Sequence, residues 1–271
     1  MTTAVLDESF LRTVDLPVCD RFEAWTERLG RTHAPTHLAS DRAADHHGDQ
    51  RILGLGDVTV WPATTGALAA AIGACEKPPA VFVSGSAVGY HGETGTDEVD
   101  ESAGAGHDFL AGVCRDWEAA AKGARTAGTR VANPRFGVVV TAQGGAMGRL
   151  LPLARAGLGG RLGSGRQYWG FISLPDTVRA PRHLVDTDSV GGPVNLTSPH
   201  PETNRDITAT VGKTLHRPTL PTVPDSAIRL ALGEFTDGIL MSQRVLPTRL
   251  LESGFTFEHP TFEAALGEAL G

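Results

Sequence analysis

The sequence predicts an α/β fold on a parallel sheet, followed by a small, mostly helical C-terminal part. Three observations predict it. Ala80-Val81-Phe82-Val83 and Val138-Val139-Val140 are continuous apolar runs, the pattern of strands covered on both faces. From residue 66 onward, helical segments alternate with such runs. The chain has 271 residues, 41% hydrophobic and 20% charged, enough for one or two domains with a sizeable core.

Taken in order, residues 17–30 read as a helix, with Phe22, Trp25 and Leu29 at helical spacing and Gly30 as a stop. Residues 51–60 read as two short strands around a Gly-Asp turn. A small-residue helix over 66–74 ends before Lys77-Pro78-Pro79, because proline lacks the N–H that would continue it. The strand at 80–83 runs into the turn Ser84–Tyr90. Residues 107–122 place Phe109, Val113, Trp117 and Ala121 on one helical stripe. After the strand at 138–140 come a helix at about 146–156, the Gly-rich loop 157–167 and a strand around 168–172. A helix from Pro175, a short strand at 194–196 and helices near 203–215, 225–233, 244–253 and from Thr261 complete the reading.

Composition excludes several functions. Twenty-four basic residues against 31 acidic give a net charge of -7, and no segment is basic enough to neutralise nucleic-acid phosphates. Cys19, Cys75 and Cys114 are far apart and odd in number, which suits a reducing compartment and forms no zinc pattern. No apolar stretch reaches a membrane span, and the N-terminus lacks the basic patch and apolar run of a secretion signal, so a cytoplasmic location is expected. His46 and His47 are adjacent, point to opposite sides of an extended chain, and read as a polar loop with no metal.

Five segments carry a resemblance: SGSAVGYHGETG (84–95), DFLAGVCRDWEAAA (108–121), GLGGRLGSGRQYW (157–169), GPVNLTSPHPETN (192–204) and SQRVLPTRLLESGFTFEHPTFEAAL (242–266). Together they resemble the atypical short-chain dehydrogenase/reductases called the epimerase family, which end in a small domain of unknown function. The resemblance covers about 66–271 and implies a Rossmann-like NAD(P)-binding fold related to sugar-nucleotide epimerases, with NAD(P) as cofactor. Residues 12–64 instead resemble the start of the sensing domain of AraC-type transcription activators. Three parts follow: an AraC-like fragment at 1–65, a partial Rossmann-like domain at 66–220 and a helical domain at 221–271.

The sheet is therefore expected to be incomplete, with only its later strands present. A dinucleotide fold opens with a strand and a glycine-rich turn, where backbone N–H groups and a helix N-terminus approach the pyrophosphate. Before residue 80 the nearby glycines are Gly54 and Gly56, and they lead into Asp57-Val58-Thr59-Val60 rather than a helix. Impaired cofactor binding is expected, as is an exposed sheet edge that a partner chain or second copy would cover. TAQGGAMGRLL (141–151) imitates a phosphate cradle, but Gln143 stands at its first glycine position, so a tight turn is expected.

By resemblance, Ser86 takes the place of the serine that hydrogen-bonds the reacting hydroxyl or carbonyl; the alternative is a turn hydroxyl capping local backbone. The family's Tyr and Lys, four residues apart, correspond to Leu110 and Cys114, which cannot do that proton chemistry. Tyr90 is the nearby phenol available as a substitute, or else an aromatic packed on the sheet. Cys114 reads as a small core residue. Arg135, Arg161 and Arg166 lie in loops that, by the resemblance, face the substrate cleft. Arg135 and Arg166 offer a fork for an anion, and Asn195 fixes a substrate group or closes a turn. Ser173 and Asp176 read as a helix cap. Asn133-Pro134 and Pro181 place proline inside an expected strand and helix.

Three functions stay open: an NAD(P)-dependent epimerase or oxidoreductase, a non-redox ligand-binding protein or cofactor-free lyase or isomerase, and an inactive fusion product.

Overall fold

The computed structural model describes residues 60–223 and 235–271. The AraC-like segment up to residue 59, the strands read at 51–59, the His46-His47 pair and the helix read at 225–233 lie outside them. Val60, read as the end of a strand, instead opens helix α1 (Val60–Gly73), which runs across the expected junction at 65/66.

The central sheet is parallel, as an α/β fold requires. Strand β1 (Val81–Val83) and its continuation β2 (Ser86–Ala87) pair with β3 (Arg130–Phe136), and β3 pairs on its other side with β8 (Gly192–Leu196). Among the described residues, no strand pairs with the far side of β1 and β2. The break between β1 and β2 has a chemical cause. In a parallel ladder the N–H of residue 134 would donate to Ser84 O, mirroring the bond from Ser84 N to Ala132 O at 2.9 Å. Proline has no such donor. The Asn133 side-chain amide takes over part of the task, reaching Ser84 O at 3.4 Å.

Beyond β3 the chain changes partners at Gly137. Gly137 N still donates to Leu196 O at the end of β8, whereas Val138 N donates to Gly170 O. From there β4 (Val138–Val140) pairs in parallel with β7 (Phe171–Ser173). A side chain at Gly137 would collide with the Gly170 carbonyl, so this switch requires a glycine. The strand read around 168–172 is divided at Gly170 into β6 (Tyr168–Trp169), antiparallel to β9 (Glu202–Thr203), and β7, and β5 (Gly160–Leu162) pairs in parallel with β10 (Leu220–Val223), where the sequence reading has no strands.

Helices α2 (Phe109–Ala121), α3 (Gly145–Arg155), α4 (Leu174–Asp186), α5 (Asn204–Leu215), α6 (Phe235–Leu240), α7 (Thr248–Glu252) and α8 (Phe262–Leu270) complete the set. Asp108, Ser173, Thr203 and Thr261 cap α2, α4, α5 and α8 by accepting a backbone N–H of the first turn. The stripe expected on α2 is rotated. Phe109 is exposed, and Ala111, Cys114 and Ala121 are the buried residues. Pro181 sits within α4 as expected.

Three cores hold these layers. Phe171, Phe262, Leu151, Leu266 and Ile207 fill the space among β4, β7, α3, α5 and α8. Ala132, Val194, Leu196, Leu184, Leu250 and Phe255 join one face of the central sheet to α4 and α7. Ala69, Ala121, Ala124 and Val131 make a thin layer under α1 and α2. Among the described residues, no helix is long and apolar enough to cross a membrane.

Candidate active site

Strand register builds the site. Ser86 pairs with Arg135, and Arg135 with Asn195, so three neighbouring parallel strands set these residues in one row. Side chains in one row of a sheet point to the same face. The row lies toward the C-terminal ends of the strands, where α/β folds place their ligands. All three side chains are buried.

Helix α2 crosses this face and brings a carboxylate to the row. Glu118 Oε1 accepts the Ser86 hydroxyl at 2.8 Å and Arg135 Nε at 2.7 Å, while Oε2 accepts Arg135 Nη2 at 3.0 Å. This is a two-pronged guanidinium–carboxylate pair, with Arg135 2% and Glu118 11% exposed. A charge so deeply placed is tolerable only because its partner is in contact.

A short 3-10 turn, Val88–His91, follows β2 and folds two rings over the row. The Arg135 guanidinium carbon lies 3.4 Å from the centre of the Tyr90 ring, a cation–π contact. Tyr90 itself is half-buried. His91 is buried, its Nε2 3.2 Å from Asn195 Oδ1 and 3.4 Å from Arg135 Nη1. Burial pushes its pKa below the usual value; the Asn195 hydrogen bond works against that and the Arg135 charge adds to it. Asn195 is held at every polar atom of its side chain and by its backbone N–H. Its Nδ2 donates to Leu246 O at 3.0 Å, and its N donates to Glu101 Oε1 at 2.8 Å. Glu101, also buried, accepts Arg249 N with its second oxygen, so the C-terminal segment is tied to the row; burial raises the Glu101 pKa.

The structure thus brings Ser86, Tyr90, Arg135 and Asn195 together and leaves Arg166 apart. Arg166 is exposed in a loop fixed to α5 by Asn204 N on Gln167 O and Arg205 N on Gly165 O. Arg135 and Arg161, expected in loops, lie in strands β3 and β5, and Arg135 and Asn195 also differ from expectation in their orientation. Both are turned inward with their polar atoms engaged, because a buried fork and a buried amide must find partners within the protein. Cys114 is the core residue expected, its thiol pushed up to about 12 by burial. Ser173 caps α4 as expected, its Oγ accepting Asp176 N, and the Asp176 carboxylate receives the Ser173 hydroxyl and the N–H groups of Glu258 and His259, anchoring the C-terminal segment.

Sequence reasoning missed three contributors: Glu118, His91 and Glu101. A signal existed for the first. Glu118 lies four residues after Cys114, on the side of α2 that faces the protein, and an acid there calls for a partner. Glu101 sits in a loop with no pattern to mark it.

Among the described residues, the turn that imitates a phosphate cradle does not form one. The strand–turn–helix unit with a glycine turn is β4–α3, where a Cβ at Gly148 would meet only ordinary contacts at 3.6 Å. No close backbone approach there calls for a glycine at that position. Asp176, which follows the next strand of that sheet, is 0% exposed, and both its oxygens are committed to Ser173, Arg179 and the backbone of 258–259, leaving nothing for a ribose. Among the described residues no group of His, Cys, Asp and Glu forms a metal site.

Comparison with known proteins gives this geometry a context. Residues 223–269 match the model of a family described as a domain of unknown function, DUF1731. An epimerase family protein of Mycobacterium bovis is 47% identical over 191 residues, covering 70% of this chain and 64% of that protein. The chloroplastic SDR39U1 homolog of Arabidopsis thaliana, also an epimerase family protein, is 39% identical over 191 residues, covering 70% of this chain and 55% of its own length. The chain therefore spans less than two thirds of the curated relatives it matches. Among solved structures, the human epimerase family protein SDR39U1 (isoform 2) with NADPH superposes with a TM-score of 0.75 at 29% identity, covering 90% of this chain and 86% of that one. The chain is a relative of epimerase family proteins, with the Rossmann-like parallel sheet of that structure and a helical C-terminal part.

Proposed function

We propose that this chain is an epimerase/oxidoreductase-type protein of the short-chain class that takes a small or nucleotide-linked hydroxyl compound at the Ser86–Tyr90 site, with weakened NAD(P) binding. The observation that carries the reading is the row Ser86–Arg135–Asn195 closed by Glu118. Its similarity to epimerase family proteins, one of them solved with NADPH, supports the class. Among the described residues, a β4–α3 turn with no close approach at Gly148 and an Asp176 fully engaged within the protein support the weakened binding.

The residues divide the work. Glu118 takes the Ser86 proton in a hydrogen bond, so the lone pairs of Oγ are what Ser86 has left for a substrate hydroxyl. Arg135 holds Glu118 in place and lies flat against Tyr90, setting the plane of the phenol beside the row. Asn195 orients His91. Arg135 and Asn195 act as positioning residues, and Ser86 and Tyr90 face the substrate. Arg166, exposed on its loop, stays available for a distal anionic group of a nucleotide-linked substrate.

Titrating purified protein with NADH and NADPH while following nicotinamide fluorescence tests the cofactor reading. Saturation is expected only at about millimolar cofactor, a binding free energy of about -4 kcal/mol. Saturation at micromolar cofactor overturns the impairment and leaves the class standing. The absence of a diphosphate turn among the described residues also favours a second reading, a non-redox ligand-binding protein or cofactor-free lyase or isomerase on the same residues. A ligand that raises the melting temperature while neither nicotinamide does would select it.

A further inference from the structure

The ring of His91 has a proton whose position the surrounding bonds decide. Asn195 Nδ2 donates to Leu246 O, which fixes the amide orientation and aims Oδ1, an acceptor, at His91 Nε2. Arg135 Nη1, a donor 3.4 Å from the same nitrogen, would ask for a bare Nε2; the shorter contact to Asn195 Oδ1, held in place by Leu246, assigns the hydrogen to Nε2. The remaining ring nitrogen, Nδ1, is then a bare lone pair, buried and without a hydrogen-bond partner. An unpaired acceptor in the interior is costly and calls for an occupant.

We propose that His91 Nδ1 accepts a hydrogen bond from a substrate hydroxyl, and that the site selects an uncharged hydroxyl over a carboxylate or phosphate at this position. This rests on the functional reading above and deepens it. Two further features support the choice. The Ser86 hydroxyl has spent its hydrogen on Glu118, so it too presents lone pairs. The Arg135 fork, the natural anion clamp, is closed around the same carboxylate. Two acceptors and a neutralised cation welcome a donor and repel an anion.

The ring is kept neutral for this task. It is faced by Arg135 of β3, which opposes a second positive charge, and by Glu118 of α2 and Asp100 of the 92–106 loop, which favour one; burial outweighs both acids.

The test uses the full chain with histidine labelled by nitrogen-15. In the free protein, the His91 spectrum is expected to show hydrogen on Nε2 and none on Nδ1. Adding UDP-glucose, whose sugar supplies hydroxyls, is expected to move the Nδ1 resonance, and UDP alone is not. A ring protonated on Nδ1 overturns the inference. UDP-glucose that raises the melting temperature without moving Nδ1 overturns it too, while the proposed function survives. No movement and no thermal shift removes both. Variants give a second measure, since Asn places an oxygen near the former Nδ1 whereas Gln keeps only the nitrogen that meets Asn195. His91→Gln is expected to weaken UDP-glucose binding about tenfold, and His91→Asn by no more than about threefold. Equal losses in two variants that melt like the parent would count against the assignment.

Discussion

The two faces of the same three strands are built by opposite rules. On one face Ala132, Val194 and Leu196, with Val83 and Phe136 beside them, meet Leu184 of α4, Leu250 of α7 and Phe255. On the other face the strands begin apolar, with Phe82 and Val131 under α1 and α2, and turn polar toward their C-terminal ends. There Ser84 and Asn133, then Ser86, Arg135 and Asn195, are all buried. The first face lowers the free energy of the fold by hiding hydrocarbon. The second gains little from burial, because each buried polar group must recover in hydrogen bonds what it loses in hydration. A protein retains such a face where it has chemistry to do, and the departure from a plain core marks the site.

The sharpest way to break the contrast is to remove one member of the charged pair. Glu118→Ala leaves Arg135 buried and unpaired, and urea unfolding is expected to show a loss of about 3–5 kcal/mol. Replacing both partners, Glu118→Leu with Arg135→Met, is expected to restore most of that stability while abolishing ligand binding at Ser86; a double variant as unstable as the single one would show that the pair is needed for the fold itself.

On the apolar face, Leu196→Ala is expected to cost about 3 kcal/mol through lost transfer energy and a residual cavity. Ligand binding at intact temperature should be unchanged in affinity class, because Leu196 points away from the row. A binding defect larger than the stability loss would merge the two faces into one functional unit.

The smallest effect is the pH dependence of the polar face. Below the ordinary imidazole value of 6.5 the unfolded chain binds a proton that the folded His91 resists. The stability this ring contributes is therefore fully present above 6.5 and declines as pH is lowered through the window beneath it. Glu101, raised by burial, acts with the opposite sign, its contribution present below the ordinary 4.5 and lost as pH rises through its raised value. Denaturant unfolding at stepped pH should show the His91 slope in the parent and not in His91→Phe; an unchanged slope would assign it to another group.

Much of this was legible beforehand, and for local reasons. The strands at 81–83, 138–140 and 194–196, the cap Ser173, and the helices over 109–121, 145–155 and 204–215 follow from short-range pattern. Val60 was misread because a run of alternating residues before it resembled a strand, whereas Val60–Gly73 makes its helical turns against Trp117: Trp61 stacks on that ring and Thr65 accepts its indole N–H. The helix stripe of α2 was misplaced by Phe109, a large residue at its first turn that the fold leaves outside.

Sequence alone determined the class of fold, the approximate spans of α2 to α5, and the presence of serine, tyrosine and asparagine near strand ends. What it left open was pairing. No local pattern states that Ser86, Arg135 and Asn195 stand shoulder to shoulder, since register between parallel strands is set by packing across crossovers of dozens of residues. Only in three dimensions does Glu118 close on Arg135, and only there does an asparagine held by Leu246 come within 3.2 Å of His91 Nε2. Hydrogen bonds and ion pairs act over about 3 Å, whatever the separation along the chain, and it is the fold that sets that distance.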